Sequence, residues 1–120
     1  MLGCDIADIF RIKKSCEKHG QAFLDKILTP AEQEVYRKRK RSPSFLAGRF
    51  AAKEAVSKAL GTGIGKIGFK DIEILPNDKG QPSLTVSGYS FSKCEISISH
   101  SRDYAIAVCF LEINQTVEKV

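Results

Sequence analysis

Phe45-Leu46-Ala47-Gly48-Arg49-Phe50-Ala51-Ala52-Lys53-Glu54-Ala55-Val56-Ser57-Lys58-Ala59-Leu60 is the stretch from which the fold is read. Apolar residues recur almost all the way round it, so it should be a helix buried on most sides. Ser42-Pro43 supplies its start, with Ser at the N-cap and Pro at the first helical position. Gly61 supplies the stop. The predicted helix therefore covers residues 43–60. Four charges stand inside that apolar background. At about 100° per residue, Arg49 and Lys53 share one line and Glu54 and Lys58 another. The row Ala47, Ala51, Ala55 lies beside the second line, and its small side chains let something approach the helix closely. Taken alone, Glu54 and Lys58 read as an ordinary i,i+4 pair, stabilising by about 0.2–0.5 kcal/mol. A buried charge needs more: a partner, a metal or a ligand.

Upstream, Thr29-Pro30-Ala31-Glu32 is a second helix start, with Thr at the N-cap, Pro at N1 and Glu at N3. That helix is expected to run into Arg37-Lys38-Arg39-Lys40-Arg41. Residues 9–18 carry helical periodicity broken at Gly20, and residues 21–27 carry a short helix. Residues 1–6 read as a strand bearing Gly3-Cys4-Asp5. Downstream the period changes to two. Ile72 and Ile74, Leu84 and Val86, and Cys94, Ile96 and Ile98 each alternate with polar neighbours. Pro76-Asn77-Asp78-Lys79-Gly80 has turn chemistry, and His100-Ser101-Arg102-Asp103 reads as a hairpin turn. Residues 104–111 are apolar on both faces, which predicts a central strand covered on both sides. Helices grouped before neighbouring strands predict an α+β fold: an antiparallel sheet with helices packed on one face. Residues 1–113 should form a single domain, with residues 114–120 as a polar tail.

The 120 residues fit one domain. With 42% hydrophobic and 28% charged residues, the composition is that of a globular chain, against disorder or a coiled coil. No run approaches the roughly 18–20 apolar residues of a membrane span, and the acidic start MLGCDIADIF does not read as a signal peptide. Cys4, Cys16, Cys94 and Cys109 form no C-x-x-C pair, which argues against a zinc site and a disulfide scaffold and for reduced thiols in the cytoplasm. A net charge of +5 favours an acidic partner.

Asp5 follows a glycine at the end of the first strand. It reads either as a cap for the next helix or as a carboxylate that joins Glu54 around a divalent cation. Two hard oxygen ligands completed by water and phosphate oxygens suit Mg²⁺. Asp8 reads as a helix N-terminal acid. Gly61-Thr62-Gly63-Ile64-Gly65 follows a helix instead of opening one, so it is no Walker or Rossmann fingerprint; it reads as a cap and loop tip that could still approach a ligand. His100 stands among hydroxyls and Arg102, a setting that suits a phosphate.

Gly3-Cys4-Asp5-Ile6, the 45–60 stretch with Gly61-Thr62-Gly63-Ile64-Gly65, and Ser97-Ile98-Ser99-His100-Ser101 together resemble the small class of 4′-phosphopantetheinyl transferases, the holo-[acyl-carrier-protein] synthase family. Leu28-Thr29 with Glu32 fits the same pattern, and the resemblance spans nearly the whole chain. Cys4 departs from it, standing where an aliphatic residue or Thr is more usual. The resemblance implies transfer of phosphopantetheine from coenzyme A to a serine of apo acyl carrier protein, releasing adenosine 3′,5′-bisphosphate, in fatty acid biosynthesis. It implies that Asp5 and Glu54 hold Mg²⁺ and that Lys58 contacts the pyrophosphate, making these three the catalytic set. It places Arg49, His100 and Ser101 near the 3′-phosphate end, with Gly61, Gly63 and Gly65 against the nucleotide. Arg11, Lys14 and Phe23 would face the acidic carrier protein. A homotrimer with sites at subunit interfaces is implied as well. Either a metal-bound water or Glu54 could take the serine proton.

Two other functions compete. A small basic nucleic-acid-binding domain would use the Arg37-Lys38-Arg39-Lys40-Arg41 run, but the strands lack aromatic residues interleaved with basic ones. A metal-dependent phosphohydrolase would usually want more carboxylates than Asp5 and Glu54.

Overall fold

A computed structural model describes residues 1–116. Chain order is β1 (Leu2–Asp8), α1 (Ile9–His19), α2 (Gln21–Ile27), α3 (Pro30–Lys38), α4 (Pro43–Ala59), a 3₁₀ turn (Phe69–Asp71), β2 (Ile72–Pro76), β3 (Pro82–Val86), β4 (Tyr89–His100) and β5 (Tyr104–Thr116). The α+β expectation holds, with antiparallel pairing between the strands. Residues 117–120 of the expected polar tail lie outside the described residues, and β5 runs on to Thr116.

Helix starts are where local chemistry puts them. Thr29 and Glu32 form the reciprocal capping box of α3. Ser42 Oγ accepts from Phe45 N–H at the start of α4. Asp8 caps α1 by accepting from Arg11 N–H, so Asp5 is not that cap. As expected, α3 runs into the Arg37-Lys38-Arg39-Lys40-Arg41 segment. It ends at Lys38, and Lys40 and Arg41 take left-handed φ of 57° and 55°. The cause lies just downstream. Ser42 precedes a proline and is held extended, so the chain must reverse before α4 begins.

The sheet expectation needs two corrections. The strands form two sheets, not one: a three-stranded sheet in the order β1-β5-β4, and a separate β2-β3 hairpin. The hairpin closes through Asn77, whose Oδ1 accepts from Lys79 and Gln81 N–H. Among the described residues, β5 is the central strand but is covered on one side only. Ala105, Ala107, Cys109 and Leu111 are buried under α4, while Tyr104, Ile106 and Val108 stay exposed beside Leu2 (70% exposed) and Ile6 (59%). An apolar pattern on both faces says that both avoid water; it does not say what covers each.

The alanine row of α4 is met by β1. A Cβ on Gly3 would lie 2.7 Å from Ala59 N and closer still to Ala55 O, so only glycine lets the strand reach the helix backbone. Gly48 gives Ile98 of β4 the same kind of room.

Candidate active site

That close approach assembles the first cluster. Gly3, Asp5 and Ala7 share the helix side of β1, paired with Cys109, Ala107 and Ala105 of β5. Asp5 therefore lands beside the last turns of α4. Lys58 Nζ donates to Asp5 Oδ1 at 2.8 Å and to Cys4 O at 3.2 Å. The i,i+4 pair expected between Glu54 and Lys58 is not among the ion pairs of the described residues; Lys58 reaches across to the strand instead. Glu54 is half-buried, and its carboxyl is pushed above the ordinary range by burial first and by the Asp5 charge second, with Lys58 opposing. The Lys58 ammonium is held above its usual value by its hydrogen bond to Asp5 and the charge behind it. Two carboxylates close enough to feel each other, next to a solvent-facing ammonium, can take up a cation and a phosphate together. Among the described residues no group of three or more His, Cys, Asp or Glu forms a metal cage. The donor set is a pair, which suits an ion that keeps water and phosphate ligands.

Arg49 belongs to a second cluster. It lines a cleft of about 430 Å³ with Arg39, Ser42, Phe45, Pro82 and His100. Its Nε donates to Ile74 O at 3.0 Å, and its guanidinium carbon lies 4.4 Å from the Phe45 ring centroid. Arg49 is only 7% exposed, and among the described residues no carboxylate forms an ion pair with it. Burial pulls its pKa down to about 10. A guanidinium bonded through Nε and lining a cleft has the donor geometry to receive an anion there. Arg39, 5.3 Å from the same ring, was hidden in the sequence as one letter of a basic run; the turn forced by Ser42-Pro43 is what brings it to the cleft. Asp5, Glu54 and Lys58 are not part of this cleft, so one chain carries the two clusters on separate surfaces.

The glycine loop joins neither cluster by its backbone donors. Gly61 N–H bonds Lys58 O, Gly63 N–H bonds Ser57 O and Gly65 N–H bonds Ile67 O. Positive φ at all three makes this inward-turned path possible. Ser101 sits in the β4–β5 turn, its Oγ accepting from Tyr104 N–H. Arg11 and Lys14 are exposed on α1. Phe23, on α2, packs half-buried against the core. Phe10, 65% exposed at the start of α1 with Lys14 Nζ 5.6 Å from its ring centroid, was not singled out from the sequence.

Comparison with known proteins adds to this geometry. The family profile described as the 4′-phosphopantetheinyl transferase superfamily matches residues 1–109. A holo-[acyl-carrier-protein] synthase of Oceanobacillus iheyensis is 45% identical over 116 residues, covering 95% of this chain and 97% of that protein. The crystal structure of a holo-(acyl-carrier-protein) synthase from Bacillus anthracis in complex with CoA (3′,5′-ADP) is similar at a TM-score of 0.81 and 45% identity. It aligns over 92% of this chain and 94% of that one. The Helicobacter pylori holo-[acyl-carrier-protein] synthase in complex with coenzyme A is similar at a TM-score of 0.85 and 38% identity. Here 93% of this chain and 100% of that one are covered.

Proposed function

The chain belongs to the 4′-phosphopantetheinyl transferase superfamily, and on that premise we infer that it transfers the 4′-phosphopantetheine group of coenzyme A to a serine of apo acyl carrier protein. The products are holo acyl carrier protein and adenosine 3′,5′-bisphosphate. The observation that carries this reading is the meeting of Asp5, Glu54 and Lys58 where β1 crosses α4. The reaction breaks a phosphoanhydride, so charge on two phosphates must be met in place. Asp5 and Glu54 are the carboxylates that would hold Mg²⁺, which when bound supplies positive charge to the pyrophosphate oxygens. Lys58 has an exposed, flexible side chain that turns from Asp5 to a phosphate oxygen. Arg49, with Arg39 and His100 around the same cleft, receives the adenosine 3′-phosphate, and Ser101 is the next residue after His100. Gly61, Gly63 and Gly65 contribute close approach to the nucleotide and not N–H donors.

A homotrimer with sites shared between subunits is part of this reading. Two features support it. The open face of the β1-β5-β4 sheet presents Leu2, Ile6, Ile106 and Val108 to solvent, a patch that association would bury. The Arg49 cleft and the Asp5 cluster lie apart on one chain, so a neighbour's cleft facing the Asp5 cluster completes a site for one coenzyme A molecule. Arg11 and Lys14, with Phe10 and Phe23 as apolar contacts, form the face for an acidic carrier protein, whose attraction weakens with salt. Four free thiols fit work in the cytoplasm, supplying carriers for fatty acid biosynthesis.

The test is the intact mass of apo acyl carrier protein after incubation with this protein, Mg²⁺ and coenzyme A. A gain of one phosphopantetheine, lost in EDTA, is expected. No gain from folded protein and a competent carrier overturns the reading. Native mass of the same enzyme sample should give three chains per particle; an equally active monomer overturns the shared site.

A further inference from the structure

Glu32 takes no part in the chemistry above, yet it is completely buried. Its Oε1 accepts from Thr29 N–H at 2.8 Å and from Lys53 Nζ at 2.6 Å; its Oε2 accepts from Ile74 N–H at 2.7 Å. Lys53, equally buried, spends its other donors on Ile27 O and Phe69 O. Ile74 is thus held at both ends of its backbone. Glu32 takes its N–H, and Arg49 Nε donates to its carbonyl. Ile74 lies on β2, which pairs with β3 and not with the main sheet. No sheet ladder therefore sets the distance from β2 to α4. Core packing of the fully buried Ile72 and Ile74, together with bonds of this kind, sets it instead.

We propose that Glu32, with Lys53 as its buried countercharge, is a positioning residue for Arg49. By clamping Ile74 it fixes the carbonyl that orients the Arg49 guanidinium toward an anion in the cleft. The chain of contacts is Glu32 Oε2, Ile74 N–H, Ile74 C=O and Arg49 Nε. A shift of β2 would carry the Arg49 fork with it, and a fork recognises phosphate by angle as well as by distance. The proposal rests on the reading that Arg49 receives the 3′-phosphate of coenzyme A.

Its test compares coenzyme A with 3′-dephospho-coenzyme A as donors, in phosphopantetheine transfer followed by carrier mass. The ratio of the two kcat/KM values reads the 3′-phosphate contact and is blind to a general loss of folded protein. Arg49→Lys, which breaks the fork, should lower the wild-type ratio by about tenfold, the scale of one misplaced charge-assisted hydrogen bond. Glu32→Gln should lower it by a similar factor. The double variant should fall no further than Arg49→Lys alone, because one residue acts through the other. An unchanged ratio in Glu32→Gln, or losses that multiply in the double variant, overturns the proposal. If Glu32→Gln does not fold, Glu32→Gln/Lys53→Met removes both buried charges together and is read in the same way. A wild type that transfers from both donors equally well removes the 3′-phosphate from Arg49 and the proposal with it. A wild type that transfers from neither overturns the function itself.

Discussion

Two lysines of α4 each pair with a carboxylate from another element, in opposite surroundings. Lys53 meets Glu32 at 2.6 Å with both side chains wholly buried. Lys58, little more than a turn further on, meets Asp5 at 2.8 Å with its side chain 55% exposed. Burial lowers the pKa of the first ammonium, and the Asp5 hydrogen bond raises that of the second. The Lys53 ammonium has its donors taken by Glu32, Ile27 O and Phe69 O, so it has nothing left to offer a ligand. Lys58 is itself solvent-facing, while its partner Asp5 is only 17% exposed. The residue type is the same; desolvation and saturation separate the buried, fully bonded lysine from the solvent-facing one.

The contrast breaks most visibly at the buried pair. Lys53→Met leaves the Glu32 charge in the core, a loss of about 3–5 kcal/mol, so thermal unfolding should begin more than about 10 °C lower. A melting curve close to wild type would show that the pair is no anchor. Lys58→Met should invert the pattern. An exposed ion pair adds little stability, so the melting curve should stay near wild type while kcat falls roughly a hundredfold. Transfer at the wild-type rate would remove Lys58 from the chemistry.

Glu54 sharpens the comparison by a smaller effect. Its carboxyl is held above the ordinary value of 4.5, so the folded chain binds that proton more tightly than the unfolded chain does. Any stability from Glu54 is present below that value and is lost as pH rises through the raised pKa. At neutral pH the ionised group therefore costs stability. Glu54→Gln, measured in EDTA, should melt slightly higher than wild type near pH 7, with the gain fading toward pH 4. A gain that is as large at pH 4 would assign it to packing instead of charge.

How far the sequence could be read depends on the range of each interaction. Caps and starts are local, and Ser42-Pro43 and Thr29-Pro30-Ala31-Glu32 announced α4 and α3 directly. Alternation identified the strands but not their partners, because a period of two is the same in any sheet; hence the separate β2-β3 hairpin and the open face of β5. The motif spacing put Glu54 and Lys58 on one line, yet Lys58 reached the strand because Asp5 lay within contact. Glu32 was legible as a cap and is one. Its bond to Lys53, twenty-one positions away, has no local signature. Arg49 was readable as a buried charge in need of a partner; that its pivot would be a carbonyl on β2 was not.

The missing side chain of Gly3 sets the gauge of the Asp5–Lys58 cluster. Asp5 and Lys58 ride on different elements, and the gap between them is the thickness of the joint where strand backbone meets helix backbone. A methyl group there would act as a shim. It would leave each of these two side chains chemically intact and on its own element, yet out of calibration with the other.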